Sequence, residues 1–218
     1  MNKHEKLISN LSSELTPVSP PPNINKLALV WFLLGAVYVV AVIHLFGPAR
    51  PGAFSQLGTE PRFLFETMLG VGAILWTSLL AFRSAVPAAL SKQFAAIGVI
   101  LMVFWLAQYV IGFVSPALEP SMLGKRRYCQ FESLVYSLPV ILAGLFIVRR
   151  FYPMHPVRTG MSIGLAAGMM PALYMQLACM YEPAHIISFH VIPGLLMAGV
   201  AAAIAARLHL PRGVSDKR

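Results

Sequence analysis

Residues 27–46 read LALVWFLLGAVYVVAVIHLF, twenty consecutive positions without a lysine, arginine, aspartate or glutamate. A helix needs about 20 apolar residues to cross the hydrocarbon core of a bilayer, which is roughly 30 Å thick. Because lipid offers the backbone no hydrogen-bond partner, a run of this kind is predicted to be a helix. We therefore expect residues 27–46 to span a membrane.

Five further segments of similar length and composition follow along the chain. Their bounds are 63–82, 94–114, 129–148, 160–180 and 186–206. None shows the polar alternation of a barrel strand, so the sequence predicts an all-α polytopic membrane bundle of six transmembrane helices. The first span is too long for a cleaved signal peptide and lacks a convincing small-residue cleavage site, so we expect it to remain as an anchor.

The overall composition excludes an ordinary soluble domain. Of the 218 residues, 57% are hydrophobic and 11% are charged, whereas soluble domains carry about 25% charged residues. The 17 lysines and arginines outnumber the 8 acidic residues, which gives a formal net charge of +9. In a soluble protein this excess would suggest nucleic-acid binding, but beside apolar spans it reports orientation in the membrane. We therefore expect no direct contact with nucleic acid.

The distribution of positive charge predicts which way the bundle faces. Twelve of the 17 lysines and arginines lie on the side that carries both termini. Since cytoplasmic loops hold the excess of positive residues, both termini are predicted to be cytoplasmic. The other five are Arg50, Arg62, Lys125, Arg126 and Arg127. The last three form a cluster on the predicted outer side, and this cluster is the one feature that opposes the orientation.

The predicted organisation has three parts. Residues 1–26 form a cytoplasmic tail, residues 27–207 form the membrane domain, and residues 208–218 form a short basic cytoplasmic tail. Residues 16–22 read TPVSPPP, a proline-rich run that is typical of an extended and fairly stiff spacer. The other predicted cytoplasmic segments are short, so the first tail is the part best suited to bind a soluble partner.

An apolar stripe in the first tail predicts how it binds. Leu7, Ile8, Leu11 and Leu15 are separated by one, three and four residues, which places them along one face of a helix of about three turns. A helix this short is marginal in water, so we expect it to order when its stripe enters a groove on a partner. A disordered tail is the alternative that the sequence leaves open.

The two cysteines, Cys129 and Cys179, are predicted to lie at the same depth on the outer side. Cys129 begins the fourth span and Cys179 ends the fifth. A disulfide needs Cα atoms about 5.5 Å apart, and the sequence does not establish that distance. A structural disulfide, a dithiol that cycles with a disulfide, and a site for a soft metal ion therefore all remain open.

Three further outer residues are candidates for an auxiliary role beside the thiols, namely His44, His185 and Glu182. His190 lies one turn deeper than His185, and helical spacing predicts that the two imidazoles do not share a face. A joint metal site for the two histidines is therefore not expected. A haem held by His44 and His190 is disfavoured because both lie in the outer half.

Polar and small residues inside the spans have structural explanations. Arg62 lies four residues before Glu66, a spacing that predicts a local ion pair. Gly160, Gly164 and Gly168 recur every fourth residue, which places three small residues on one face and allows a neighbouring helix to approach closely.

The sequence shows no motif of an enzyme and no clear mark of a transporter. There is no GxSxG, no HExxH and no glycine-rich phosphate loop, so we expect no catalytic activity. Neither a fixed-period repeat nor an inverted repeat is visible. A small transporter or channel nevertheless remains the alternative from another class, and a structural subunit of a larger membrane complex is a third.

Five segments in fixed order carry a resemblance to a known family. They are the amphipathic start KLISNLSSELTPVSPPP at 6–22, EPRFLFETMLG at 60–70, the exit AVP at 85–87, CQFESLVYSLPVILAGLFIVRR at 129–150, and the glycine-rich fifth span ending at Cys179. With these, the chain resembles the NrsF-like family of bacterial membrane anti-sigma factors over nearly its whole length.

The resemblance implies a function. Members have six transmembrane helices and hold an extracytoplasmic-function sigma factor at the bacterial inner membrane until oxidants or heavy metals are sensed in the periplasm. It implies that Cys129 and Cys179 are the sensing cysteines and that the first tail, helped by cytoplasmic loops, contacts the sigma factor. The implied partners are the sigma factor and the lipid bilayer. No permanent cofactor is implied, only a transient soft or heavy metal ion.

Overall fold

The structure is a computed structural model that describes residues 2–13, 22–47 and 49–209. Nine α-helices are found within these ranges. They are α1 (Lys3–Ser13), α2 (Ile24–Leu45), α3 (Ala53–Thr59), α4 (Pro61–Ser84), α5 (Lys92–Ile111), α6 (Cys129–Val148), α7 (Pro156–Ala178), α8 (Pro183–Ile186) and α9 (Ile192–His209). A π-helical turn, Ile187–Val191, joins α8 to α9, and the described residues contain no strand.

Six stretches are long and apolar enough to cross a membrane, namely α2, α4, α5, α6 with the following short turn, α7, and the continuous segment Pro183–Leu208. The prediction of an all-α bundle with six spans is therefore confirmed, and the chain is a multi-pass membrane protein. The predicted placement of both termini in the cytoplasm stays a prediction.

Several span boundaries differ from the predicted ones by a few residues, and proline accounts for the starts of two spans. α7 begins at Pro156 instead of residue 160, and the last span begins at Pro183 instead of residue 186. Proline suits the first position of a helix, where its missing N–H is not needed. α5 ends at Ile111 instead of residue 114.

The helices alternate in direction, so the bundle has two ends. At the end where α2 begins, which we call the tail end, the Arg83 Nε donates to the Asn25 Oδ1 at 2.9 Å, and the hydroxyls of Ser84 and Thr159 lie 3.0 Å apart. The opposite end holds both cysteines, and we call it the cysteine end. There, the Arg50 N–H donates to the Leu177 carbonyl at 3.3 Å.

The glycine face of α7 packs against α9. A Cβ added at Gly160 would lie 2.5 Å from the Cβ of Ala205, and one added at Gly164 would collide with the Met197 carbonyl. Only residues without a side chain allow these backbones to approach so closely. The predicted packing role of Gly160, Gly164 and Gly168 is confirmed, and α7 is the most buried of the six spans.

The first tail contains a helix whose apolar stripe is uncovered. Leu7, Ile8 and Leu11 on α1 are 57%, 65% and 59% exposed, and no described residue of α1 is buried. Leu15, the fourth member of the predicted stripe, lies outside the described residues, as does most of the proline-rich spacer. The stripe is therefore available to a partner as far as it is described.

Candidate functional site

The two cysteines come together at the cysteine end. Cys129 is the first residue of α6 and Cys179 directly follows α7; both are free thiols and are 3% and 0% exposed. The His185 Nε2 lies 3.4 Å from the Cys129 Sγ and 3.5 Å from the Cys179 Sγ. One imidazole therefore contacts both thiols and links the last span to the ends of α6 and α7.

His190 completes a group of four. Its ring centroid lies 5.0 Å from that of His185, at an interplanar angle of 85°. The ligand atoms of Cys129, Cys179, His185 and His190 all lie within 4.8 Å of one another. We call these four residues the thiol–imidazole cluster. It draws its members from three spans, so its geometry depends on how those spans are packed.

The prediction that His185 and His190 do not share a face was wrong, and the π turn is the reason. An α-helix advances about 100° per residue, so five residues rotate a side chain by about 140°. Between the two histidines the Ile192 N–H instead bonds the Ile187 carbonyl, five residues back. The wider turn brings His190 back over His185. Single π turns of this kind often occur at functional sites.

Proline favours this wider turn. Pro193 has no N–H to donate to the Phe189 carbonyl, and its ring would crowd that carbonyl in a regular α-helix. The signal in the sequence is therefore Pro193, three residues beyond His190. Hydropathy and regular α-helical spacing do not reveal a change of helix type.

Glu182 supports the cluster through the backbone. Its carboxylate accepts hydrogen bonds from the N–H groups of Ala184 and His185, and it caps the N-terminus of α8. It is not one of the four clustered ligands. This predicted auxiliary residue therefore acts by holding the backbone of His185 and does not contact the thiols as a ligand.

His44, the other predicted auxiliary residue, lies apart from the cluster. Its Nε2 is 2.6 Å from the hydroxyl of Tyr174, and the two rings are 5.8 Å apart. This contact joins the end of α2 to α7. The structure thus does not bring His44 together with the thiols.

A buried arginine lies close to the cluster. Arg50 is 5% exposed, its guanidinium lies 5.9 Å from the centroid of the Tyr181 ring, and its Nε has no hydrogen-bond partner among the described residues. Burial lowers the pKa of Arg50, whereas the anionic forms of Tyr181 and Cys179 raise it. Arginine keeps its charge in proteins, so this residue favours negative charge on Cys179.

The thiol of Cys179 is the more acidic member of the pair. The hydrogen bond from the Cys129 thiol lowers the pKa of Cys179, and His185 adds to this effect, whereas burial acts in the opposite direction. Thiolate is the form of cysteine that attacks oxidants and binds metals. Cys179 is therefore the member of the pair that we expect to react first.

An ion pair fixes the position of Cys129. The Arg126 Nε lies 2.7 Å from the Glu132 Oε2, and the same guanidinium donates to the Ile43 carbonyl at 3.2 Å. These contacts tie the chain just before α6 to the first turn of α6 and to the end of α2. The predicted pair of Arg62 and Glu66 is also present, at 3.0 Å.

Two kinds of chemistry are open to this arrangement. Adjacent thiols can be oxidised to a disulfide. Thiolates with imidazoles are also the ligand set that borderline and soft metal ions prefer. The cluster contains no carboxylate and no phosphate-binding loop, so it resembles neither a hydrolytic centre nor a site for magnesium or calcium.

Comparison with known families gives one match. The family described as negative regulator of sigma F matches residues 11–209, which includes all six spans and the whole cluster. Neither the curated proteins nor the solved structures give a match. The matched description implies a sigma factor as the partner. The chain belongs to the NrsF family, the negative regulators of sigma F.

Proposed function

We propose that this chain is an inner-membrane anti-sigma factor that sequesters an extracytoplasmic-function sigma factor and releases it when the cysteine pair meets an oxidant or a heavy metal ion in the periplasm. The observation that carries this proposal is the pair of adjacent free thiols at the end of the bundle opposite the start of α2. A regulator with reactive groups at one end, and with an apolar stripe on the tail that leads into the other end, is suited to carry a signal across a membrane.

The chemical step changes the contact between α6 and α7. Oxidation joins the two sulfur atoms, and the two electrons and two protons of the thiols pass to the oxidant, so hydrogen peroxide leaves as two water molecules. Metal binding instead displaces the thiol protons. Either event alters the ends of α6 and α7. Each of these helices contains a proline in mid-span, Pro139 in α6 and Pro171 in α7.

The release step requires a difference in affinity. The unreacted protein must bind the sigma factor more tightly than the reacted protein, by about 1.4 kcal/mol for each tenfold of release. The connection between α6 and α7 at the tail end is the shortest covalent route from the cluster to the sigma-binding side. In this connection the side chains of Tyr152 and Met154 are 85% and 70% exposed, and Arg150 lies just before them in the chain.

The sensing claim is tested with thiol variants in cells. We expect a protein with both Cys129→Ser and Cys179→Ser to repress the sigma factor but to lose induction by cadmium and peroxide. His44→Gln is the matched control, since it changes a histidine at the same end outside the cluster and is expected to induce normally. Normal induction in the double cysteine variant would refute the sensing role.

The partner-binding claim is tested on α1. Leu7→Asp with Leu11→Asp places two charges in the apolar stripe, and Ser9→Asp with Ser13→Asp places two charges at the same spacing on the other face. Burial of each leucine contributes roughly 1.5–3 kcal/mol, so the first pair is expected to weaken sigma binding at least about 100-fold. The second pair is expected to bind normally. Equal sigma binding by both variants would show that α1 is not part of the interface.

A further inference from the structure

The thiol–imidazole cluster has more ligands than a thiol pair needs. We propose that Cys129, Cys179, His185 and His190 together form a complete four-ligand tetrahedral site for a divalent ion of borderline or soft character, such as Zn²⁺ or Cd²⁺. This inference rests on the proposed function in placing the stimulus at the cysteines, and it adds that two imidazoles bind the ion with them.

The distances suit such an ion. Zinc binds sulfur at about 2.3 Å and nitrogen at about 2.0–2.1 Å, so tetrahedral ligand atoms lie about 3.4–3.8 Å apart. The two distances from the His185 Nε2 to the sulfur atoms are 3.4 and 3.5 Å. The whole set lies within 4.8 Å. A modest contraction therefore gives each ligand atom a bonding distance to one central ion.

His190 supplies an independent observation. It is 0% exposed, and neither its Nδ1 nor its Nε2 has a hydrogen-bond partner among the described residues. A buried polar group without a partner is unfavourable, so such groups are rare unless another function requires them. A metal ion at the cluster would give one of these nitrogen atoms the partner that the protein does not.

The charge of the site favours this ligand set. Two thiolates and two neutral imidazoles around a divalent ion give a net charge of zero, and a neutral complex is compatible with burial at the end of a membrane bundle. A carboxylate would add a negative charge, but Glu132 is paired with Arg126 and Glu182 is bound to backbone N–H groups. Oxygen-preferring ions such as Mg²⁺ would find no hard ligand here.

Metal and oxidant would then act on different parts of the bundle. A disulfide joins only the ends of α6 and α7. A bound ion also holds His185 and His190, so it ties the last span to the other two. The site therefore distinguishes the two stimuli by the number of spans that each one links.

The site is tested on the full chain, purified in detergent micelles, reduced and stripped of metal. Titration with Co²⁺ is expected to give one ion per chain, a thiolate-to-cobalt charge-transfer band and the intense d–d absorption of tetrahedral cobalt, with Zn²⁺ then displacing the cobalt. No binding, or the weak absorption of octahedral cobalt, would overturn the proposal without any variant being made.

Variants test the histidines separately. His185→Ala and His190→Ala are each expected to weaken cobalt binding by at least about 10–100-fold, the loss that even residues behind the ligands can cause. Both are expected to change the d–d spectrum, whereas His44→Gln leaves affinity and spectrum unchanged. If His190→Ala binds cobalt with the affinity and spectrum of the wild type, His190 is not a ligand of the site.

Sigma binding measured on the same samples separates this proposal from the proposed function. Tetrahedral metal binding without any loss of sigma affinity would support the site and refute metal-driven release. Metal-driven release without the tetrahedral spectrum would refute the four-ligand site and leave the regulatory function standing.

Discussion

The carboxylate of Glu182 lies beside the thiol–imidazole cluster but acts on the backbone of α8. It accepts the N–H groups of Ala184 and His185, so it fixes the first turn of α8. The same short helix buries Pro183 and Ile186, so its packing and its cap act together. The cap therefore helps to hold the imidazole of His185 beside both sulfur atoms.

Removing that cap gives a first prediction. Glu182→Ala is expected to lower the free energy of unfolding by about 0.5–2 kcal/mol, the usual contribution of an N-terminal cap, and to weaken cobalt binding with it. Glu182→Asp keeps a capping carboxylate and is the control. Thermal unfolding in micelles and cobalt titration measure the two effects. Equal stability of the alanine variant and the wild type would contradict the capping role.

At the scale of elements, the π turn between α8 and α9 aligns His190 with His185. It has one residue more than an α-helical turn would need. Ser188 lies within it and is exposed, so it is the residue that can be removed with least loss of packing.

Deleting Ser188 gives a second prediction. The two histidines would then be four residues apart, a spacing that places them on the same face of an ordinary α-helix. We expect cobalt binding to remain within about tenfold of the wild type, since the change corresponds to less than about 1.4 kcal/mol. An alanine inserted after Ser188 adds a residue instead and is expected to abolish tetrahedral binding. Binding by the insertion variant would show that the turn does not set the alignment.

The contact between α7 and α9 gives a third prediction. Gly164→Ala forces a methyl group against the backbone of α9 and is expected to destabilise the bundle by about 1–3 kcal/mol. Gly199→Ala is the matched control, because a Cβ at Gly199 meets nothing within 4 Å. The unfolding temperature in micelles measures both variants. A similar loss in both would indicate a general intolerance of α7 and α9 to substitution.

Particular residues show what the sequence could predict. The six spans were predictable because lipid imposes a minimum length of apolar helix, as in residues 27–46. The ion pair of Arg62 and Glu66 was predictable because its spacing is local. The meeting of His185 with His190 was not, since it depends on a non-α-helical turn. The short helix α3 was also not predicted, because its seven residues carry no long apolar period.

At the scale of the whole molecule, the cluster of positive residues at 125–127 opposes the predicted orientation less than its sequence suggests. Arg126 is buried and paired with Glu132, so its charge is compensated within the protein. Lys125 and Arg127 are the exposed members. The excess of positive residues at the tail end therefore remains the stronger signal.

Orientation is the fourth prediction. Alkaline phosphatase needs disulfides and is active only when it is exported to an oxidising compartment. We expect a fusion after residue 120 to be active, and fusions after residues 90 and 218 to be inactive, because both termini are predicted to be cytoplasmic. Enzyme activity per unit of fusion protein is the measurement. The reverse pattern would place the cysteines in the cytoplasm and contradict periplasmic sensing.

The burial of the cluster determines which molecules can reach it. Cys129 and Cys179 are 3% and 0% exposed, and His185 is the only member that is not fully buried. Under the proposed function, this burial favours a bare ion or a peroxide over a bulky disulfide such as oxidised glutathione, because only His185 is partly exposed. The proposed sensor would then select its stimulus by molecular size before any difference in sulfur chemistry comes into effect.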